Sequence, residues 1–199
     1  MTMCPPFLNL QRTGARALVG AIAVALLLAL SPPAAAQQDI ARMSMPELLN
    51  ELARPDLENW RVVERRILRE WGRTGSPSLD LLMRRGHAAL EADDAAAATE
   101  HFTAALERTP GFAEGWHARA RAQYQAGLVG PALDDLRTAL SLNPHHFGAL
   151  SGLGLILEET GNTTAALAAF RAAAAIHPHQ PDIVTAVRRL DRLVNGPAL

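Results

Sequence analysis

The chain has no lysine, so its 19 strongly basic side chains are all arginines. The chain also has 20 acidic side chains, so its formal net charge is −1 with neutral histidines. General nucleic-acid binding calls for a basic face or a strongly basic domain, and this balance supplies neither. The composition therefore argues against a nucleic-acid partner.

Cysteine is almost absent as well, since Cys4 is the only one in the 199 residues. It precedes an apolar run over Ala17–Leu30, so it is not placed for lipid attachment after cleavage of a signal peptide. Beyond Cys4 the chain has no thiol for a disulfide, a cysteine nucleophile or a thiolate–metal site. The folded product must be stabilised by packing alone.

The first 36 residues have the order of a secretory signal peptide. Arg12 and Arg16 form a positive segment, Ala17–Leu30 is almost unbroken in apolar character, and a Pro-Pro pair precedes Ala34–Ala36. This order predicts cleavage before Gln37 and a periplasmic product. Losing Arg12 and Arg16 leaves 17 of the 19 arginines against all 20 acids, so the mature charge is −3.

A retained membrane anchor is the alternative interpretation of the same residues. A spanning helix needs about 20 apolar residues. The run Ala17–Leu30 is shorter and is followed by Pro32 and Pro33, which stop a helix. If the segment were kept, the protein would be a membrane-tethered accessory factor of envelope assembly, with membrane contact through that segment.

Residues 37–78 are predicted to form an N-terminal helical pair. Ser44 and Glu47 have the spacing of a capping box for a helix ending near Ala53. Asp56 is predicted to cap a second helix that ends near Trp71. Apolar residues recur every three or four positions in it and predict one buried stripe: Leu57, Trp60, Val63, Ile67 and Trp71. Its arginines are interpreted as a solvated face.

The strongest pattern is a 34-residue repeat marked by Pro110, Pro144 and Pro178. The three blocks run over 79–112, 113–146 and 147–180, and each is predicted to hold two helices joined by a turn. Residues 181–199 are predicted to form a capping helix and a tail, with a buried stripe at Val184, Val187, Leu190 and Leu193. Such caps cover the apolar end of a repeat stack.

Small and large residues recur at fixed places in these blocks. The eighth place holds Gly86, Ala120 and Gly154, and the twenty-fourth holds Phe102, Leu136 and Phe170. Small residues let helix backbones approach closely, and the large ones fill the remaining space. With the closing prolines, this pattern resembles the tetratricopeptide repeat. Locally the chain also resembles uncharacterised exported alphaproteobacterial proteins of that family.

The resemblance implies an all-α fold, a right-handed α-solenoid of three helix-turn-helix repeats with helical caps at both ends. It also implies that the first helices of the repeats line a concave groove that receives an extended peptide or an amphipathic helix. We expect a protein–protein interaction scaffold or adaptor, not an enzyme, and no cofactor. The residues predicted to line the partner-binding groove are Arg84, His87, Glu91, His117, Arg121, Tyr124, Gln125, Ser151, Leu155 and Glu158. Self-association is a further possibility.

The histidines leave a less favoured alternative open. His145 and His146 precede one repeat and His177 and His179 the next, in loops expected to stack along one edge. Imidazoles are common metal ligands, so these loops suggest a metal-binding edge. Loops around a proline also commonly carry exposed polar side chains, and this second interpretation is preferred. No metal site is therefore predicted.

Overall fold

The computed structural model describes residues 40–196. The chain divides into two compact units, Met1–Met43 and Ser44–Leu199. The described part of the first unit is a single helical turn at residues 40–42. The predicted signal peptide and its alternative role as an anchor lie outside the described residues. Among the described helices, none combines the length and the apolar character needed to cross a membrane.

The second unit is built from helices joined by short turns. The N-terminal pair consists of α1 (Met45–Leu52) and α2 (Trp60–Trp71). The repeats contain α3 (Pro77–Glu91), α4 (Ala95–Leu106), α5 (Ala113–Gln125), α6 (Val129–Leu142), α7 (Phe147–Glu159) and α8 (Thr163–Ile176), and the chain continues into α9 (Pro181–Asn195). From α3 to α9 each helix packs against the next one in sequence. The predicted all-α solenoid is confirmed.

The small and large residues of the repeat meet directly in the core. A Cβ atom added to Gly86 would lie 2.4 Å from Cε1 of Phe102, and one added to Gly154 would lie 2.8 Å from Cδ2 of Phe170. In the middle repeat Ala120 shares a buried cluster with the smaller Leu136. The size of one residue therefore compensates for the size of its partner, which keeps the helices of a pair at a similar spacing.

The turns inside the repeats also recur at a fixed place. Asp93, Gly127 and Gly161 are 34 residues apart and all have positive φ, at 61°, 76° and 81°. The N–H group of the next residue donates at 2.8 Å to the carbonyl five residues earlier in all three repeats. This is the helix-ending arrangement that glycine favours. Asp93 adopts it without being glycine.

Two details differ from the sequence prediction. Helix α2 starts at Trp60 rather than after Asp56, because turns occupy most of residues 55–59. The buried stripe of α9 is Ile183, Ala186 and Leu190, whereas Leu193 is 68% exposed. The stripe is shifted because it is the face that packs with Phe170 and Leu167 of α8.

Candidate functional site

A concave groove runs along the first helices of the second and third repeats. It encloses a cavity of about 540 Å³. Six of the predicted groove residues line this cavity: His117, Arg121, Tyr124, Gln125, Ser151 and Leu155. Leu136 and Ile156 add apolar surface to its wall, and Gly148 and Gly152 leave its third-repeat side open.

The remaining predicted groove residues lie outside that cavity. Arg84 and His87 line a neighbouring hollow between α3 and the end of α2, together with Glu114. Glu91 and Glu158 line neither space. The other predicted groove residues therefore divide between two separate spaces, a difference that the sequence pattern did not show.

Polar side chains at the rim of the cavity are paired within the chain. Tyr124 donates to Glu159, and Gln125 donates to Asp93. The hydrogen bond to Glu159 raises the pKa of Tyr124. Glu158 forms an ion pair with Arg189 of the capping helix, and that hydrogen bond lowers the pKa of Glu158. The acidic end of the groove is thus partly neutralised.

Two groove arginines have no such partner. Within residues 40–196 neither Arg84 nor Arg121 takes part in an ion pair, and both are exposed. Glu114, which lines the hollow with Arg84, is bonded to a histidine. An anionic group entering the groove therefore meets guanidinium groups with unused donors.

Glu114 lies in a buried cluster with His117 and His146. The backbone N–H of Ala149 donates to Nδ1 of His146 at 3.1 Å, so neutral His146 carries its proton on Nε2. That Nε2 lies 2.9 Å from Oε2 of Glu114 and therefore donates to it. His146 acts as the N-cap of α7 and at the same time joins α7 to α5.

The surroundings shift the pKa values of Glu114 and His117 in this cluster. Burial alone would raise the pKa of Glu114, but the neighbouring His117 and His146 outweigh it and hold that pKa well below its ordinary range. Burial lowers the pKa of His117, although Glu114 opposes the shift. Nδ1 of His117 is 3.5 Å from Oε2 of Glu114 and has no hydrogen-bond partner among the described residues.

The same three side chains are the types that bind zinc, and their ligand atoms lie within 4.8 Å of one another. A metal ion, however, would need the lone pair of His146 at Nε2, where the proton resides. Moving that proton to Nδ1 would set it against the N–H of Ala149 and remove the cap of α7. The cluster as folded is suited to hydrogen bonding.

A second group of histidines contacts the N-terminal pair. Nε2 of His177 lies 3.1 Å from Oε1 of Glu64, which also accepts from Gln180 at 3.3 Å. The ring of Trp60 stacks on His179 and meets His177 edge-on. Helix α2 therefore lies along the loop that follows α8.

The other end of α2 meets the loop before α7. Trp71 stacks on His146 with ring centroids 4.7 Å apart and also contacts Phe147. His146 is 1% exposed and His177 0% exposed. The expectation of exposed loop histidines is therefore wrong for these two residues, because α2 covers the loops. Its tryptophans gave no sign in the sequence of which segment they would contact.

The sequence also missed a buried ion pair. Arg119 on α5 forms two hydrogen bonds to Asp135 on α6, at 2.7 and 2.9 Å, and a third to Thr103 on α4 at 3.2 Å. The side chain of Asp135 is only 7% exposed and that of Arg119 17% exposed, so the pair is largely removed from water. Arg119 is 16 positions from both Asp135 and Thr103. Helical periodicity relates only residues three or four positions apart, so it could not reveal these contacts.

Gly148 and Gly152 leave space on the third repeat that either the groove or the capping helix could occupy. Gly148 lies against His117 and His146, and Gly152 lies against Leu136. The capping helix α9 instead packs on α8. These glycines therefore shape the cavity.

Comparison with known proteins agrees with this architecture. The family profile described as tetratricopeptide repeat matches residues 118–181. A TPR repeat-containing protein of Rhizobium etli is 30% identical over 138 residues, which are 69% of this chain and 68% of that protein.

Solved structures show the same fold. The TPR domain of Arabidopsis OM64 has a TM-score of 0.56 and 22% identity, covering 59% of this chain and 97% of that one. The first TPR domain of RPAP3, bound to the HSP90 peptide SRMEEVD, has a TM-score of 0.56 and 16% identity, covering 59% and 93%. The TPR2B domain of yeast Sti1, in complex with pHsp70, has a TM-score of 0.55 and 18% identity, covering 59% and 99%.

The helix pairs, the small–large packing and the relative from Rhizobium etli lead to one conclusion, that this chain belongs to the tetratricopeptide repeat family.

Proposed function

We propose that this protein is a periplasmic scaffold or adaptor of the cell envelope that binds a peptide or helix of a partner protein in its concave groove. The observation that carries the proposal is the open cavity of about 540 Å³, which joins apolar surface to Arg121. Binding sites of this kind combine apolar contact area with a few oriented polar groups. We propose binding rather than catalysis.

The groove chemistry indicates what kind of segment would fit. Leu155 and Leu90 offer apolar contacts, and Gly148 and Gly152 leave room for side chains of the ligand. Because Glu158 and Glu159 are paired within the chain, the charged side chain that lines the cavity is Arg121, and Arg84 lies in the neighbouring hollow. A segment that alternates apolar and acidic residues is the ligand that suits this surface best.

The relatives support the proposal at the level of the fold. The RPAP3 domain was solved with an HSP90 peptide, and a second RPAP3 domain with the HSP70 peptide SGPTIEEVD. Both domains are helical-repeat folds like this one, and both hold short peptides. The sequences of those peptides are not expected to transfer, because the identities to this chain are only 16% and 19%.

The groove is tested by selecting peptides from a random display library on the purified protein and measuring their affinity by fluorescence anisotropy. The double change Arg84→Glu and Arg121→Glu should weaken the selected peptides roughly tenfold or more, because hydrogen bonds to charged groups contribute about 1.5–3 kcal/mol. Ser151→Trp should also weaken binding, by filling the cavity.

The matched control is Arg137→Glu. Arg137 is exposed on α6 and pairs only with Asp134, and such surface pairs contribute little. Equal affinity of all these variants and the wild type, with helix content unchanged by circular dichroism, would show that the groove is not the binding site.

The envelope location is tested separately by fractionating the native cells and sequencing the N-terminus of the product. A periplasmic protein that starts at Gln37 supports the adaptor proposal. A membrane-bound protein that retains Ala17–Leu30 would replace it with the tethered accessory factor.

A further inference from the structure

We propose that the N-terminal pair, residues Met45–Trp71, docks on the repeats at neutral pH and detaches on acidification, with His177 as the sensing residue. The docking surface includes aromatic rings, three hydrogen bonds and the side of α1 that contacts α8. Two of these bonds end on Glu64, from His177 and Gln180, and the third joins Nε2 of His179 to the carbonyl of Arg54 at 2.8 Å.

The environment of His177 leaves no room for a second proton. Its ring is fully buried and lies edge-on to Trp60 and Phe147. Nε2 is bonded to Glu64, whereas Nδ1 is buried and has no partner within the described residues. Protonation at Nδ1 would create a buried N–H group without an acceptor, which costs the desolvation energy of that donor.

The charged groups around His177 act in opposite directions. Glu64, on α2, favours the protonated ring, and His179, in the same loop, opposes it. Burial is the largest influence and lowers the pKa of His177. The docked state therefore prefers neutral His177 despite the carboxylate beside it.

The direction of the pH effect follows from this preference. When the pair is detached, His177 is in water and regains an ordinary pKa near 6.5. Above that pH His177 is neutral in both the docked and the detached state, so its protonation does not affect docking. Below it, the detached state binds the proton more tightly, so the docking equilibrium weakens by up to about tenfold per pH unit. If docking depended on an ion pair between protonated His177 and Glu64, acid would strengthen docking instead.

Detachment would change the groove. Gln180 lines the cavity and is bonded to Glu64, and Leu68, Gly72 and Arg73 of the α2 end line the hollow beside Arg84. Removing α2 would open this side and free Gln180. Only this consequence, that acid regulates access to the groove, rests on the proposed binding function; the docking equilibrium does not.

The equilibrium is measured with spin labels at two exposed sites, Arg65→Cys on α2 and Thr185→Cys on α9, in a Cys4→Ser background. Pulsed electron–electron double resonance gives the distribution of distances between the two labels at pH 7.5 and at pH 5. We expect a single short distance at pH 7.5 and added longer distances at pH 5. Identical distributions at the two pH values would overturn the proposal.

His177→Gln tests the sensing residue, since glutamine can donate to Glu64 but does not titrate. This variant should keep the short distance between the labels at pH 5. In Glu64→Gln the N-terminal pair should detach at a higher pH than in the wild type. His101→Gln on α4 is the matched control, and its N-terminal pair should detach at the same pH as in the wild type. If His177→Gln also opens like the wild type, His177 is not the sensor.

Peptide affinity measured on the same variants separates this inference from the proposed function. Detachment without peptide binding at either pH would refute the binding proposal and leave the docking equilibrium standing. Peptide binding together with the same spin-label distance at both pH values would support the binding proposal and refute the docking equilibrium.

Discussion

Gly86 of α3 lies directly against the ring of Phe102 on α4, so close that a Cβ atom at position 86 would be 2.4 Å from Cε1 of that ring. Phe102 is fully buried and has little space into which to move. The contact explains why the two residues of a repeat must be considered together: the aromatic ring occupies the space that any side chain at position 86 would need.

Gly86→Ala is therefore expected to destabilise the protein by about 1–3 kcal/mol through overpacking. The measurement is the midpoint of urea unfolding followed by circular dichroism. Gly130→Ala is the control, because a Cβ atom there meets nothing within 4 Å, and it should be neutral or stabilising. Adding Phe102→Leu to Gly86→Ala should recover part of the loss, since it copies the natural pair Ala120 and Leu136.

Leu128→Asn should stabilise the protein by about 1 kcal/mol. Asp94 and Asn162 occupy the equivalent place in the other repeats and accept hydrogen bonds from Ala97 and Ala165. Leu128 has the same backbone conformation as Asn162 but cannot cap α6, and it is 50% exposed, so little burial is lost. Thermal unfolding would detect the gain, and a lower melting temperature would contradict this interpretation.

Asp135→Ala should destabilise the protein by up to about 3–5 kcal/mol, because it leaves the largely buried Arg119 without its carboxylate partner. The change is read from urea unfolding. Asp134→Ala, which breaks an exposed pair with Arg137, is the neighbouring control and should change stability by less than about 1 kcal/mol. Similar losses in the two variants would mean that the buried pair does not join α4, α5 and α6 as described.

Stability should fall as the pH decreases from 7.5 to 5.5, in part through His117. Burial lowers its pKa in the folded state, so the unfolded chain binds the proton more tightly below about pH 6.5. Each such residue contributes a slope of up to about 1.4 kcal/mol per pH unit. Urea midpoints measured across this range should show a shallower slope for His117→Gln than for the wild type. An unchanged slope would assign the effect to other groups.

Each of the three predicted blocks holds two helices, to within about two residues at its ends, because the helix limits depend on local features. Glycine at 127 and 161 ends the first helix of the second and third repeats, and the closing prolines limit the second helix of every repeat. The shift of the α9 stripe to Ile183 shows the limit of this reasoning. Periodicity alone offered several apolar faces, and packing on α8 selected one.

The groove was predicted only in part. Six predicted residues line the cavity because helical spacing places them on one face of α5 or α7. The pairing of Glu158 with Arg189, and of Tyr124 with Glu159, joins residues more than 30 positions apart. No local pattern reveals such contacts, so the charge that the groove displays could not be predicted from the order of the residues.

The sequence by itself determined the repeat architecture, since small and large residues at fixed places in a 34-residue period allow only one way of packing successive helices. The tertiary structure alone decided where the N-terminal pair lies. Glu64 and His177 are 113 residues apart, and an amphipathic helix such as α2 carries an apolar face without specifying the surface that it covers. That choice depends on complementary shape and on buried hydrogen bonds, which exist only once both surfaces have formed.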